Sequence, residues 1–229
     1  MNKFPVVILD NGSDLIKIGN RQTEKPSICH NALLKTNKNI YIADEIDSIQ
    51  NTFNIFNINR PFSNSILTDF DLQNEIWNKV FNKMPQTKLN QKSLLMTESL
   101  LNPKLVRSNI CETIFEKFDF NALMLSNGLK FAPSTITNPL FNKNCCVVVD
   151  CGYSNTRIVP IVNGIPINFA AKTTIGSKLL NERLGQVLSF RQFDVKKDYF
   201  LTEKIRINSC YISNNFETEL NEIKFQNIK

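Results

Sequence analysis

The sequence predicts an α/β layered fold assembled from a duplicated unit. Three observations carry this. Strand-type runs give way to helix-type periodicity twice along the 229 residues, the order expected of packed sheet and helix layers. The segment VILDNGSDLIKI, starting at Val7, aligns without a gap on VVVDCGYSNTRI, starting at Val147. Asp10 then matches Asp150, Gly12 matches Gly152, Lys17 matches Arg157 and Ile18 matches Ile158, the mark of an internal repeat. Hydrophobic residues make up 42% of the chain, with 17 Phe, enough apolar material for a sizeable core rather than a disordered chain.

The elements follow in order. Phe4–Leu9 is a short apolar run that ends in the turn signal Asp10-Asn11-Gly12, and Leu15–Ile18 returns as a second strand. Residues 20–60 are irregular and Asn-rich, with weak strand runs at Ile40–Ala43 and Phe53–Ile58. Thr68 is placed to cap a helix running to Lys83. Its stripe is Leu72, Ile76, Val80 and Met84, with Phe70, Trp77 and Phe81 beside it. Ser93–Thr97 reads as a buried strand. Asn102 at the N-cap and Pro103 at the first helical position open a second helix, whose inner residues Val106, Ile110, Ile114 and Phe118 step by four. Ala122–Leu125 is another apolar run. Cys145–Val149 reads as a strand buried on both faces, followed by meander strands Arg157–Val162 and Pro166–Ala171 around Asn163-Gly164. Gly176-Ser177 opens a helix with Leu179, Leu180, Leu184, Val187 and Leu188 inward; a last helix covers Thr202–Tyr211, and the remainder is polar.

Composition narrows the class. Lys+Arg total 27 against 21 acidic residues, a net charge of +6. The charges are scattered, and the densest run, Arg191 to Lys197, is broken by Phe193 and Asp194; this gives little support to a generic nucleic-acid binder. Six cysteines and the single histidine, His30, lack the spacing of a zinc site. Cys29, Cys111, Cys145, Cys146, Cys151 and Cys210 read as reduced core thiols, with Cys151 packed rather than reactive, which suits the cytosol or nucleus. Trp77 and the Phe stripes read as core. The first residues lack a signal-peptide profile, and no apolar stretch approaches the ~20 residues needed to cross a bilayer; a soluble, intracellular protein is expected.

The chemistry lies in the two Asp-x-Gly turns. A glycine-bearing hairpin turn can aim several backbone N–H groups at one anion. Ser13 and Ser154 add hydroxyl donors, and Lys17 a cation. Asp10 and Asp150 would repel phosphate directly but suit a hydrated Mg²⁺, which needs one or two carboxylates plus phosphate oxygens. Two such turns facing each other would clamp a nucleoside triphosphate. No Walker loop is present. A single Asp-x-Gly is only a common turn tripeptide; the repeat with matching flanks is what points to a clamp.

The stretch Asp10-Asn11-Gly12-Ser13, with Gly19 beyond, resembles the first phosphate loop of actins, and VVVDCGYSNTRIVPIVNGIP the second. LLMTESLLNPKLVRSNICETIFEKF, from Leu94, and NRPFSNSILTDFDLQNEIWNKVF, from Asn59, are similar to actin segments too. VLSFRQFDV, from Val187, and CCVVVDCGYSNTRIVP are similar to the sixth class of actin-related proteins. The resemblance implies an actin-like (ribonuclease H-like duplicated) fold. Its first lobe would cover residues 1–125, with a small irregular subdomain at about 20–62, and a second, C-terminally incomplete lobe would cover 126–229. It also implies ATP with Mg²⁺ as cofactor, Asp10 and Asp150 holding the metal through water. Asp10, Asn11, Gly12, Ser13, Lys17, Asp150, Gly152, Ser154, Gly176 and Arg206 would contact the nucleotide.

Departures from that pattern shape the expected function. Asp14 stands where actins place glycine beside the phosphates, bringing like charge towards them. The water-orienting glutamine of the family falls within Leu125–Gly128, yet no glutamine occurs between Gln91 and Gln186. Arg157 replaces a histidine and Tyr153 an acidic residue; Ile207 replaces an acidic nucleotide contact beside Arg206. The connection between Leu34 and Tyr41, which in actin reaches the next subunit, is very short. The resemblance therefore implies a non-catalytic subunit of a nuclear complex that exchanges a histone for its variant. Its partners would be the other subunits, with histones or the nucleosome contacted indirectly, in nucleus and cytoplasm, with no membrane and no filament. An actin-fold ATPase or a cytoskeletal actin-like protein is the alternative. An incomplete lobe would leave apolar surface uncovered.

Overall fold

The computed structural model describes residues 5–36, 39–49, 57–84, 89–138, 142–167, 171–189, 195 and 198–226. In chain order the strands and helices are β1 (Val6–Asn11), β2 (Leu15–Asn20), β3 (Ser27–His30), β4 (Leu33–Lys35), β5 (Ile40–Ile42), β6 (Asn57–Asn59), β7 (Phe62–Ser63), β8 (Ile66–Leu67), α1 (Phe70–Asn82), β9 (Ser93–Glu98), α2 (Lys104–Glu112) and β10 (Ala122–Asn127), then β11 (Cys145–Cys151), β12 (Thr156–Val162), β13 (Ile165–Pro166), β14 (Ala171–Thr173), α3 (Ser177–Ser189), α4 (Tyr199–Ser209) and α5 (Phe216–Gln226). They fall into two compact units, Met1–Leu180 and Asn181–Lys229.

The first unit is built on a five-stranded sheet of order β10-β9-β1-β2-β3. β1 pairs antiparallel with β2, whereas β9 and β10 run parallel to β1. Alternation in β1 puts Val7 and Leu9 inward, and Leu94 and Met96 continue that layer on β9. Helix α1 covers it with Ile76, Trp77, Val80 and Phe81, all buried. Phe118 and Phe120 meet Phe81 edge-on at ring distances of 5.1 and 5.2 Å. Each of these large side chains contributes about 1.5–3 kcal/mol by burial, which makes this the anchor for everything attached to β1 and β9.

Local details correct several sequence expectations. The cap of α1 is Asp69, whose Oδ1 accepts from the Leu72 N–H at 2.9 Å; Thr68 instead donates its hydroxyl to the Pro61 carbonyl. Helix α2 begins after Pro103, not at it, and the Asn102 amide donates to Glu98. The four-residue step of Ile110, Ile114 and Phe118 overshoots a 3.6-residue turn by about 40° per step. A π-turn at Thr113–Lys117 absorbs the drift, and all three side chains stay buried. The stretch expected to be irregular holds β3 and β4, and a 3₁₀ segment occupies Ala43–Ser48. Of the expected strand Phe53–Ile58, only Asn57 and Ile58 lie within the described residues, in β6.

The second sheet pairs β11 with β12, and β12 with β13 and β14. The registers Asp10↔Lys17 and Asp150↔Arg157 are identical in the two hairpins, so the repeat seen in sequence is a repeat in geometry. β11 is not buried on both faces as expected. Among the described residues it has a neighbour on one edge only, and it alternates: Val147 and Val149 are 62% and 57% exposed, and Cys145 and Cys151 lie on the same face. Across β12, Val159 and Ile161 face the opposite way and are buried. The strand expected over Pro166–Ala171 is two separate pieces, with residues 168–170 outside the described set. Cys29 is the buried thiol; Cys145, Cys151 and Cys210 are exposed and all six are unpaired, so the reading of core thiols holds only for Cys29.

In α3 the expected inward leucines are not the buried residues. Leu179, Leu180 and Val187 are exposed, while Asn181 and Gly185 are buried. Helix α4 starts at the Asp198 cap, and α5 occupies what reads in sequence as a polar tail. Apart from Val195, the basic run Arg191–Lys197 lies outside the described residues. No helix of the described residues is long and apolar enough to cross a membrane.

Candidate functional site

The two Asp-x-Gly hairpins open onto one cavity of about 690 Å³, wholly within the first unit, a size typical of small-molecule sites. Its walls are Asp10–Leu15 and Lys17 from the first hairpin, Thr97–Ser99 after β9, Asn127–Leu129 after β10, and Asp150–Asn155 with Arg157 from the second hairpin. Asp10, Asn11, Gly12, Ser13, Lys17, Asp150, Gly152 and Ser154 are thus brought together. Gly176 does not line the cavity. It is where the start of α3 presses on the second loop, and a Cβ there would lie 2.3 Å from the Tyr153 carbonyl oxygen. The Ser177 and Lys178 N–H groups donate to the carbonyls of Gly152 and Tyr153. Arg206 belongs to the second unit, where its Nε donates to Asn181 Oδ1 at 2.5 Å.

The first loop is held from behind by buried amides that no motif announces. Asn31 and Gln73 are both fully buried. Asn31 Nδ2 donates to the Gly12 carbonyl at 2.8 Å and to Gln73 Oε1 at 3.3 Å, and Gln73 Nε2 returns a bond to Asn31 Oδ1 at 3.2 Å. Trp77 Nε1 donates to Asn11 Oδ1 at 3.3 Å. The turn is tight enough that a Cβ on Gly12 would meet the Leu15 carbonyl oxygen at 2.6 Å. The only sequence signal for this network was polar residues at core positions of α1 and beside β3.

Asp14 does not turn a bare charge on the cavity. Its Oδ1 lies 2.6 Å from Arg60 Nη1, with both side chains largely buried. The Arg60 guanidinium also sits 4.7 Å from the centre of the Tyr153 ring. Two departures from the actin pattern, one on each hairpin, therefore meet on one arginine. The expectation of repulsion overlooked Arg60, 46 residues away in sequence.

The carboxylates are similarly engaged. Asp10 Oδ1 accepts from Thr97 Oγ1 at 2.6 Å and Oδ2 lies 3.4 Å from Lys17 Nζ. Asp150 Oδ2 lies 3.9 Å from Arg157 Nη1. Burial lowers Arg157 below its ordinary range, and the charges of Asp150 and Asp10 oppose that. Two carboxylates that each face a protein cation do not fit a Mg²⁺ between them as the side chains stand. In the segment expected to carry a water-orienting glutamine, Asn127 and Gly128 reach the cavity. Asn127 Oδ1 is committed to the Leu129 N–H at 3.1 Å, while its Nδ2 is buried without a hydrogen-bond partner among the described residues.

Two matching strand–turn–strand units on either side of one polar cavity, the first backed by parallel strands and helices, define an actin-like duplicated α/β fold. Comparison with known sequences agrees: the family described as Actin matches residues 1–228. The chain belongs to the actin family. Similar curated proteins include actin-like protein C08B11.6 of Caenorhabditis elegans, 28% identical over 95% of this chain and 52% of its own length. Actin-like protein ARP6 of Cryptococcus neoformans is 30% identical over 96% of this chain and 46% of its own length. Actin-related protein 6 of Arabidopsis thaliana is 30% identical over 91% and 52% respectively. The similarity to the sixth class of actin-related proteins is therefore shown across plant and fungal relatives, and the chain spans about half the length of the curated relatives it matches.

Proposed function

We propose that this chain serves as a non-catalytic actin-related subunit of a nuclear histone-variant-exchanging chromatin-remodelling complex, holding ATP as a structural ligand rather than turning it over. Its partners are other subunits of that complex, with histones or the nucleosome contacted indirectly. It works in the nucleus, is present also in the cytoplasm, and neither forms filaments nor engages membrane. The observation that carries the non-catalytic reading is the cavity wall at Asn127–Gly128. No glutamine stands there, and Asn127 Oδ1 is taken up in capping the following 3₁₀ segment, which supports the reading that this wall does not orient an attacking water as the family's glutamine would. A nucleotide that binds the folded state alone stabilises it by mass action without being consumed. The reading is tested by measuring ATP binding and phosphate release for the purified chain with its partner subunits, wild type beside Asp150→Ala. Binding without turnover supports it. Turnover abolished by Asp150→Ala would make the chain a working ATPase and overturn it.

A further inference from the structure

We infer that Arg157 occupies the position of a divalent cation in the cleft, so that this site takes a nucleotide polyphosphate without metal. The inference rests on the nucleotide reading above and specifies the form of the ligand. Arg157 lies directly opposite Asp150 in the β11–β12 register. Its Nε donates to Asn155 Oδ1 at 3.0 Å, and its Nη2 leaves its own hairpin to donate to Ser99 Oγ at 3.0 Å. Ser99 follows β9, whose Thr97 holds Asp10. The guanidinium thus reaches from one Asp-x-Gly turn to the strand end that supports the other. Its side chain is 16% exposed, fixed at both ends of the head group.

A divalent ion would neutralise two carboxylates and present a positive, oxygen-seeking centre to phosphate. It would also require near-octahedral oxygen ligation and room for several waters. The guanidinium supplies the charge with a planar fork of donors that suits phosphate oxygens. Nη1 is 3.9 Å from Asp150, beyond hydrogen-bonding distance, and Arg157 lines the cavity. Lys17, at the matching place in the first hairpin, provides a second cation 3.4 Å from Asp10. Together they do for both carboxylates what one hydrated ion would do, and a metal entering between them would face two like charges.

The test is equilibrium dialysis of radiolabelled ATP against the full chain, once in EDTA and once in excess Mg²⁺, for wild type and Arg157→Gln. The glutamine keeps an uncharged amide donor near the place of the arginine Nε, and far-UV circular dichroism checks that it folds. Wild-type affinity is expected to differ by less than about threefold between the two conditions, and Arg157→Gln to lose about tenfold in EDTA, as befits removal of a charge-assisted phosphate contact. Wild-type binding that vanishes in EDTA and returns with Mg²⁺ would overturn the inference while leaving the nucleotide reading intact. Absence of ATP binding in both conditions would overturn that reading, and this inference with it. If the variant fails to fold, the wild-type comparison alone decides.

Discussion

Asn31→Ala tests whether the first loop is held by buried amides or by its own turn geometry. The wild-type side chain makes four hydrogen bonds, to the Gly12 carbonyl, to both ends of the Gln73 amide and, at 3.5 Å, to Asn11 Oδ1, which Trp77 also serves, in a place with no solvent exposure. Truncation leaves three polar groups without partners. An orphaned buried group costs about 1–3 kcal/mol, so the sum, after some relaxation, is about 3–5 kcal/mol. For a chain of this size about 2–4 °C of melting temperature goes with each kcal/mol, predicting a fall of roughly 10 °C. The assay is urea unfolding followed by the fluorescence of Trp77, the single tryptophan, which reports on the same cluster. Gln73→Leu should be costly alone, yet the double variant should recover at least about 1 kcal/mol relative to additivity, because neither amide then lacks its partner. A single variant within about 1 kcal/mol of wild type, or strict additivity of the pair, would refute the idea that these amides hold the loop.

Other perturbations follow from the same geometry. Arg60→Met strands the Asp14 carboxylate in a largely buried place and should cost about 3 kcal/mol; adding Asp14→Gly should restore most of it, read by thermal melts, and no rescue would mean that Arg60 acts through packing alone. Burial, helped by the charges of Asp44 and Asp47, pushes the Cys29 thiol up to about 11. Its folded pKa exceeds the unfolded one, so its contribution is present below the unfolded value, and stability falls as pH rises from about 9 towards 11. At pH 8 Cys29 should resist iodoacetamide while Cys145, Cys151 and Cys210, which are exposed, are labelled, an outcome mass spectrometry reads directly. Val147→Thr with Val149→Thr should lower binding of a hydrophobic dye without lowering the melting temperature, since both side chains already meet solvent.

What was legible in the sequence was whatever depends on neighbours along the chain. The Asp-x-Gly hairpins could be read because strand, turn and returning cation sit within twelve residues, and the register repeats. The apolar stripe of α1 could be read because periodicity reports a buried face. Helix starts slipped by one residue, to Asp69 and Pro103, because the side chains of Thr68 and Asn102 are drawn to Pro61 and Glu98 instead. Apolarity does not say whether a strand gains neighbours on both edges, so CCVVV was misjudged. Asn31, Gln73 and Arg60 carry no local pattern at all; Asn31 and Arg60 act on a loop 19 and 46 residues away, Gln73 reaches it through Asn31, and only the fold brings them there.

Asp14, Tyr153 and Arg157, read one at a time, look like losses from a nucleotide site: a repelling charge, a missing acid, a missing histidine. In the folded chain they are half of a different arrangement. Asp14 and Tyr153 meet on Arg60, and Arg157 reaches from Asp150 to Ser99. Lys172 Nζ donates to the Asn64 carbonyl at 3.1 Å, and Asn155 donates to Ser65. The contacts of Arg60 with Tyr153, Arg157 with Ser99, Lys172 with Asn64 and Asn155 with Ser65 each join the part of the chain before β10 to the part after it, so protein groups link the two hairpins directly. In a clamp whose halves are joined only through a bound nucleotide and its metal, hydrolysis would loosen the joint. Here four protein contacts cross between the halves and none of them uses a phosphate. The non-catalytic role proposed above accordingly predicts little conformational difference with and without nucleotide, whereas a nucleotide-driven switch requires one.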